Sequence, residues 1–184
     1  GLIRQADLVL HLPLRFEDET RITPIAAAIP GVPAQFDVAV VSTEIAYRPR
    51  RQLLCRVADD SGALLLRFLN FYPSQQKVLQ PGVRLRVFGE VRGGLWGSEL
   101  IHPRFRALHD EEALLTALTP VYPTTAGLGQ GTLRRLIGRA LVEVDLSETL
   151  PAQIISRSGL SAFSESVRSL HAPPPGMSAE MLGE

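Results

Sequence analysis

Between Phe36 and Ile101 apolar and polar residues alternate with a period of two. Phe36, Val38 and Val40 alternate with Asp37, Ala39 and Val41. Leu53, Cys55 and Val57 alternate with Gln52, Leu54, Arg56 and Ala58. Leu64, Leu66 and Phe68 alternate with Leu65, Arg67 and Leu69. Val83, Leu85, Val87 and Val91 alternate with Arg84, Arg86, Phe88, Glu90 and Arg92. Successive side chains of a strand point to opposite faces, so each run predicts a strand with one buried face. Asp59-Asp60-Ser61-Gly62 predicts a hairpin turn between the second and third strands, and Gly93-Gly94 another after the fourth. Leu95 to Ile101 is then a fifth strand, stopped by His102-Pro103. Pro73 to Gln80 holds helix formers behind a first-turn proline and ends before Pro81-Gly82, which predicts a helix. Five short strands with a helix between the third and fourth is the element order of an OB-type Greek-key barrel. The expected class is mainly β, with flanking helical segments.

Outside that stretch the period lengthens. Asp7 to Pro13 reads as a short helix ended by its proline. Phe16 to Thr20 is acidic and turn-like, and Ile22 to Ile29 is apolar up to the breaker Pro30-Gly31-Val32-Pro33. Asp110 to Leu118 reads as a short helix and Thr119 to Gly131 as a loop. Thr132 to Val144 places Leu133, Leu136, Ile137, Ala140, Leu141 and Val144 on one helical face, with Arg134, Arg135 and Arg139 off it. Ser156 to Leu170 predicts a further helix, broken by His171-Ala172-Pro173-Pro174-Pro175-Gly176, a composition common between domains. The expected organisation is a helical or extended lead-in over 1–33, the barrel over 34–106, a helical extension packed on it over 107–172, and a linker over 173–184.

Charge changes the picture more than composition does. The formal net charge is zero, but residues 48–106 hold ten arginines and a lysine against four acids, while the flanking thirds are acidic. A basic island of this kind is an electrostatic footprint for polyanions. Arginine also stacks on bases and pairs phosphate bidentately. No apolar run nears the ~18 residues of a membrane span, so no membrane partner is expected. The first residues do not read as a secretion signal, and Cys55, alone, reads as a small buried strand residue; the expected compartment is cytoplasmic.

Motifs for catalysis are missing. There is no G-x-x-x-x-G-K-[ST] phosphate loop and no G-x-S-x-G turn. His11, His102, His109 and His171 are scattered without a second ligand at metal spacing. Asp59 and Asp60 read as a turn, and Gly127-Leu128-Gly129-Gln130-Gly131 as a loop entering a helix. We therefore expect no catalytic residue, cofactor or metal in this chain. The candidate nucleic-acid contacts are three groups. Arg67, Leu69, Asn70, Phe71 and Tyr72 end the third strand, where an arginine beside flat or apolar groups suits unstacked bases. The alternative is that Phe71 and Tyr72 cover the barrel mouth. Arg84, Arg86 and Arg92 line the outward face of the fourth strand, and Arg48, Arg50 and Arg51 sit in the loop between the first two. Trp96, beside the glycine turn, is a stacking platform or a packing residue.

Several segments carry a resemblance. Leu8-Val-Leu-His-Leu-Pro-Leu-Arg-Phe-Glu-Asp18, Arg67-Phe-Leu-Asn-Phe71, Phe88-Gly-Glu-Val-Arg92, His102-Pro103 and Leu118-Thr-Pro-Val-Tyr-Pro-Thr-Thr125 together resemble the N-terminal wedge region of the RecG family of bacterial ATP-dependent DNA helicases. Leu170-His171 and Pro173-Pro174 resemble the lead-in to its helicase lobes. The resemblance implies an OB-fold wedge that docks at the branch of replication forks and Holliday junctions and splits the arms. It implies motor lobes, binding ATP and Mg, that pull the DNA in recombination and repair. It implies branched DNA and the protein's own lobes as partners, a nucleoid-associated location, and an excised piece of a longer chain. Its capping aromatics fall on Leu69 and on or near Tyr72-Pro73, with Phe71 or Tyr72 standing in for the first. Two other readings are a protein-interaction module, favoured by the acidic helical tail, and a general single-stranded nucleic-acid module.

Overall fold

The computed structural model describes residues 3–48, 50–94, 97–108, 113–124, 127–178 and 180–182. It divides into two compact units, Asp18–Leu115 and a second made of Gly1–Glu17 with Thr116–Glu184. These bounds lie outside the 34 and 106 expected for the barrel, and the second unit combines residues from both ends of the chain.

The first unit is a seven-stranded sheet. Its strands are β2 (Pro33–Ala46), β3 (Gln52–Ala58), β4 (Ala63–Phe68), β5 (Arg84–Glu90), β6 (Arg92–Gly94), β7 (Gly97–Ile101) and β8 (Arg104–Ala107). The order is β6-β7-β4-β3-β2-β5-β8, antiparallel except for β4 with β7. The alternation worked as a buried face should. Phe36, Val38, Val40, Leu53, Cys55, Val57, Leu64, Leu66, Phe68, Leu85, Val87 and Leu100 form one core. Burial pushes the Cys55 thiol above its ordinary pKa, against the opposing effect of the Thr43 hydroxyl beside it. It is the packed strand residue that its pattern predicted.

β2 is twice the predicted length, because one extra residue bends it. Val40 faces Val57 and Ser42 faces Arg56, so Val41 is left over and exposed. A bulge of this kind reverses the parity and turns the strand. The first half of β2 pairs with β5, and its second half only with β3. Asp59 closes the β3–β4 hairpin as expected. One carboxylate oxygen accepts the amides of Ser61 and Gly62 at 2.7 and 2.8 Å, and the other accepts that of Ile25 at 2.8 Å. Helix α2 (Pro73–Val78) starts on its proline, and Leu79 behind it plugs the core while its carbonyl accepts the Thr43 hydroxyl at 2.7 Å.

One expectation is corrected here. Gly93-Gly94 is not a turn but part of β6, paired with Gly97 and Ser98. Trp96 and Leu95 lie outside the described residues. β7 stops at Ile101, before His102-Pro103, as predicted, and a further strand, β8, then adds to β5.

In the second unit, α3 (Gln130–Glu143) buries Leu133, Ile137, Ala140 and Leu141 with Val9 of α1 (Gln5–Val9), Tyr122, Leu146 and Val167. The acidic turn at Phe16 is instead β1 (Arg15–Glu17), paired with β9 (Thr119–Val121) inside the predicted loop. Residues 113–118 are not helical, and 109–112 are outside the described residues. The helix predicted over 156–170 is two, α4 (Ala152–Ser158) and α5 (Phe163–His171). They are separated at Gly159, whose φ of 63° ends α4 in the left-handed region. His171, expected to break that helix, is the last residue of α5 and is buried. Its Nδ1 lies 2.9 Å from the Tyr122 hydroxyl, and its Nε2 2.7 Å from the Val9 carbonyl.

Candidate nucleic-acid interface

Parity decides which side chains leave the core. Arg56 of β3, and Leu65 and Arg67 of β4, face outward. With Glu44 of β2, Leu54 and Arg48 they line a shallow groove of about 330 Å³ on the outer face of the sheet. Arg56 is exposed and basic in the middle of it, and was not among the predicted contacts. Its outward parity, the same that placed Arg67, is the signal that finds it.

Arg67 faces outward as predicted, but its guanidinium is held by the protein. Nε and Nη2 donate to Glu99 Oε2 at 2.9 and 2.7 Å, and Nη1 donates to Gln52 Oε1 at 3.2 Å. Both members of the Arg67–Glu99 pair are mostly covered. The partner acid lies on β7, next to β4 in the sheet but 32 residues on in sequence.

Beyond β4 the chain forms a tip. Asn70 and Tyr72 are exposed, Tyr72 at 74%. Phe71 is half-buried against the core, with the Arg51 guanidinium 4.3 Å over its ring. This cation–π contact joins two predicted groups, the tip and the Arg48–Arg51 loop, and leaves Tyr72 as the projecting aromatic. Arg48 and Arg50 are exposed beside Tyr47, itself 71% exposed. Leu69 is half-buried, and its amide is bound by a side chain: it donates to His102 Nε2 at 3.3 Å. The His102 amide in turn donates to the Arg67 carbonyl at 2.9 Å. His102 has φ +49°, the one left-handed non-glycine among the described residues, and meets the Phe68 ring edge-on at 6.2 Å.

The fourth-strand arginines separate. Arg84 is exposed. Arg92 pairs with Glu90 at 3.1 Å, both partly in water. Arg86, predicted to face solvent, is only 8% exposed: it lies opposite Asp37 of the neighbouring strand β2, donating to both carboxylate oxygens at 2.7 and 2.8 Å. The hydrogen bonds it donates to Asp37 raise its pKa further, against the effect of burial. The outward face of β5 is covered there, so Arg86 is a packing residue of the sheet. Further along that face Arg104 stacks 4.7 Å over Phe88.

The kinship is settled over most of the chain: the model of the RecG wedge domain family matches residues 2–144. The chain belongs to that family. Among RecG relatives, the ATP-dependent DNA helicase RecG of Escherichia coli strain K12 is 41% identical over 174 residues, 92% of this chain and 25% of that protein. RecG of Pasteurella multocida is 36% identical over 187 residues, 99% of this chain and 27% of that protein. The chain spans about a quarter of the length of these curated relatives. A solved structure of RecG bound to a three-way DNA junction shares the fold at TM-score 0.71 and 21% identity, over 95% of this chain and 25% of that one. In RecG wedge terms this chain is mainly β with helical additions. Among its described residues no helix is long and apolar enough to cross a membrane, and no cluster of three His, Cys, Asp or Glu could hold a metal ion.

Proposed function

We propose that this chain is the branched-DNA-binding wedge of an ATP-dependent DNA helicase, which holds the branch point of forks and Holliday junctions in recombination and repair. The motor lobes, which bind ATP and Mg, lie elsewhere in the protein and are its second partner. The location that follows is the cytoplasm, at the nucleoid. The observation that carries this reading is the tip after β4: Tyr72 stands free beside a loop of exposed arginines, while Phe71 is braced by Arg51. Support for an OB-type barrel comes from the sheet's ends. β7 pairs with β4, its continuation β8 pairs with β5, and only His102-Pro103 intervene. The solved RecG of the same fold is bound to a three-way junction.

The mechanism is steric and electrostatic. Opening a base-pair step costs about 1.4 kcal/mol on average. A base stacked on an aromatic regains roughly 1–3 kcal/mol. Tyr72 therefore offsets about one step, and the exposed Arg48, Arg50, Arg51, Arg56 and Arg84 hold phosphates. Asn70, at the same tip, can hydrogen-bond an unpaired base. Competition gel shifts test the reading. A labelled fork should be displaced less readily by linear duplex than by unlabelled fork, with affinity falling steeply as salt rises. Equal competition by fork and duplex would refute branch recognition.

A further inference from the structure

We infer that His102 is the positioning residue of the wedge tip, its imidazole standing in for a strand carbonyl to hold the backbone at Leu69; this rests on the function proposed above. β4 and β7 pair in parallel through Arg67 and Ile101, and there the backbone ladder ends. The next link is the His102 amide on the Arg67 carbonyl, at 2.9 Å. The link after it would require a carbonyl opposite the Leu69 amide, and the chain instead supplies His102 Nε2 at 3.3 Å. One residue thus grips the tip on both sides of Phe68, and its ring packs edge-on against Phe68 between the two bonds.

The geometry explains the backbone. A strand residue in its ordinary conformation would carry its side chain away from β4. At φ +49° the chain turns, and the imidazole reaches back to Leu69. Left-handed backbone costs energy for a residue with a Cβ, and such residues persist where surrounding bonds over-determine them. Accepting the Leu69 amide requires a lone pair on Nε2, so the proton of the neutral ring sits on Nδ1. What the latch holds is the start of the segment that carries Asn70, Phe71 and Tyr72. Without it, the position of Tyr72 rests on the Phe71–Arg51 contact and on the start of α2.

Two substitutions separate the roles of this residue. His102→Gly suits the left-handed backbone and removes the acceptor. His102→Gln keeps an acceptor oxygen at about the reach of Nε2. The readouts are hydrogen exchange at the Leu69 amide, the thermal midpoint, and the ratio of fork to duplex affinity. We expect H102G to speed Leu69 exchange by roughly two- to tenfold, the worth of one net hydrogen bond, and to lower the fork-to-duplex ratio by a similar factor with duplex affinity kept. H102Q should restore both. Leu69 exchange that is the same in H102G and wild type overturns the proposal. So does a freed amide with the fork ratio unchanged. A wild-type chain with no fork preference overturns the functional reading, and with it this proposal, and is recognised because the failure precedes any substitution.

Discussion

Replacing Arg86 with methionine distinguishes an arginine that packs from one that touches DNA. The side chain donates to both oxygens of Asp37 at 2.7 and 2.8 Å and is 8% exposed. Removing one member of a covered ion pair costs about 3–5 kcal/mol, chiefly because the other charge is stranded. The Asp37 side chain keeps 23% of its surface in water, which places the cost at the low end, about 3 kcal/mol. In a unit of roughly 100 residues each kcal/mol moves the midpoint by about 4–8 °C, so R86M should melt roughly 12–24 °C lower. Adding Asp37→Asn removes the stranded charge and should recover much of the loss. Thermal unfolding measures both. Fork binding is then titrated over a salt series well below the melting temperature of the variant. Arg86 that only packs leaves the slope of log affinity against log salt unchanged. Arg84→Ala is the contrast: its side chain is exposed, so stability should hold while the slope becomes shallower by about 1. The reasoning fails if R86M melts with the wild type yet binds weakly with a shallower salt slope.

Two further outcomes are expected. Tyr72→Ala should leave stability within about 0.5 kcal/mol, as for other exposed positions. It should weaken fork binding by about 1–3 kcal/mol in the same gel-shift titration, the worth of one stacked base. His171 supplies a pH dependence. Burial lowers its pKa, against the hydrogen bond to Val9 and with a small push from His11. The folded unit therefore binds fewer protons than the unfolded chain between the lowered value and the ordinary histidine value of about 6.5. Its stabilising contribution is complete above that ordinary value and is lost as pH falls toward the lowered one. Denaturant unfolding followed by helical circular dichroism should show a decline from pH 7.5 to 5 that flattens in His171→Gln.

Much of this was legible before any coordinates, for identifiable reasons. β3 matches its pattern because its buried apolar residues, Leu53, Cys55 and Val57, obey one parity. α2 is legible because a proline opens it, and α3 because its apolar stripe spans three turns. Pairings between distant segments were not legible. β1 and β9 are three residues each and carry no period, and they are strands only because they find one another. β8 has Phe105 as its single large apolar residue. Parity correctly sent Arg86 and Arg67 outward, but it is blind to what lies across the sheet. Asp37 and Glu99 are far away in sequence, and each converts an outward arginine into a held one. His102 read as the end of a strand, and only the neighbouring Leu69 amide shows what its side chain does.

The division into units has a consequence for how the molecule is made. The helical unit contains both Gly1–Glu17 and the chain from Thr116 on, so the β unit is an insertion within it. Pairing β1 with β9 closes a loop of about 100 residues, at an entropic cost of roughly 4 kcal/mol if that loop is coil. A β unit that has already folded is no longer coil, and most of that cost has then been met. The order of synthesis suits this sequence of events. Residues 18–115 emerge complete while α1 and β1 still lack α3 and β9, so the sheet can finish before those two elements meet their partners in the helical unit. A lesion in the sheet core, at Phe36 or Leu66, would therefore be felt twice during biogenesis. It would slow the sheet, and it would delay the meeting of α1 and β1 with α3 and β9, their partners more than a hundred residues further on.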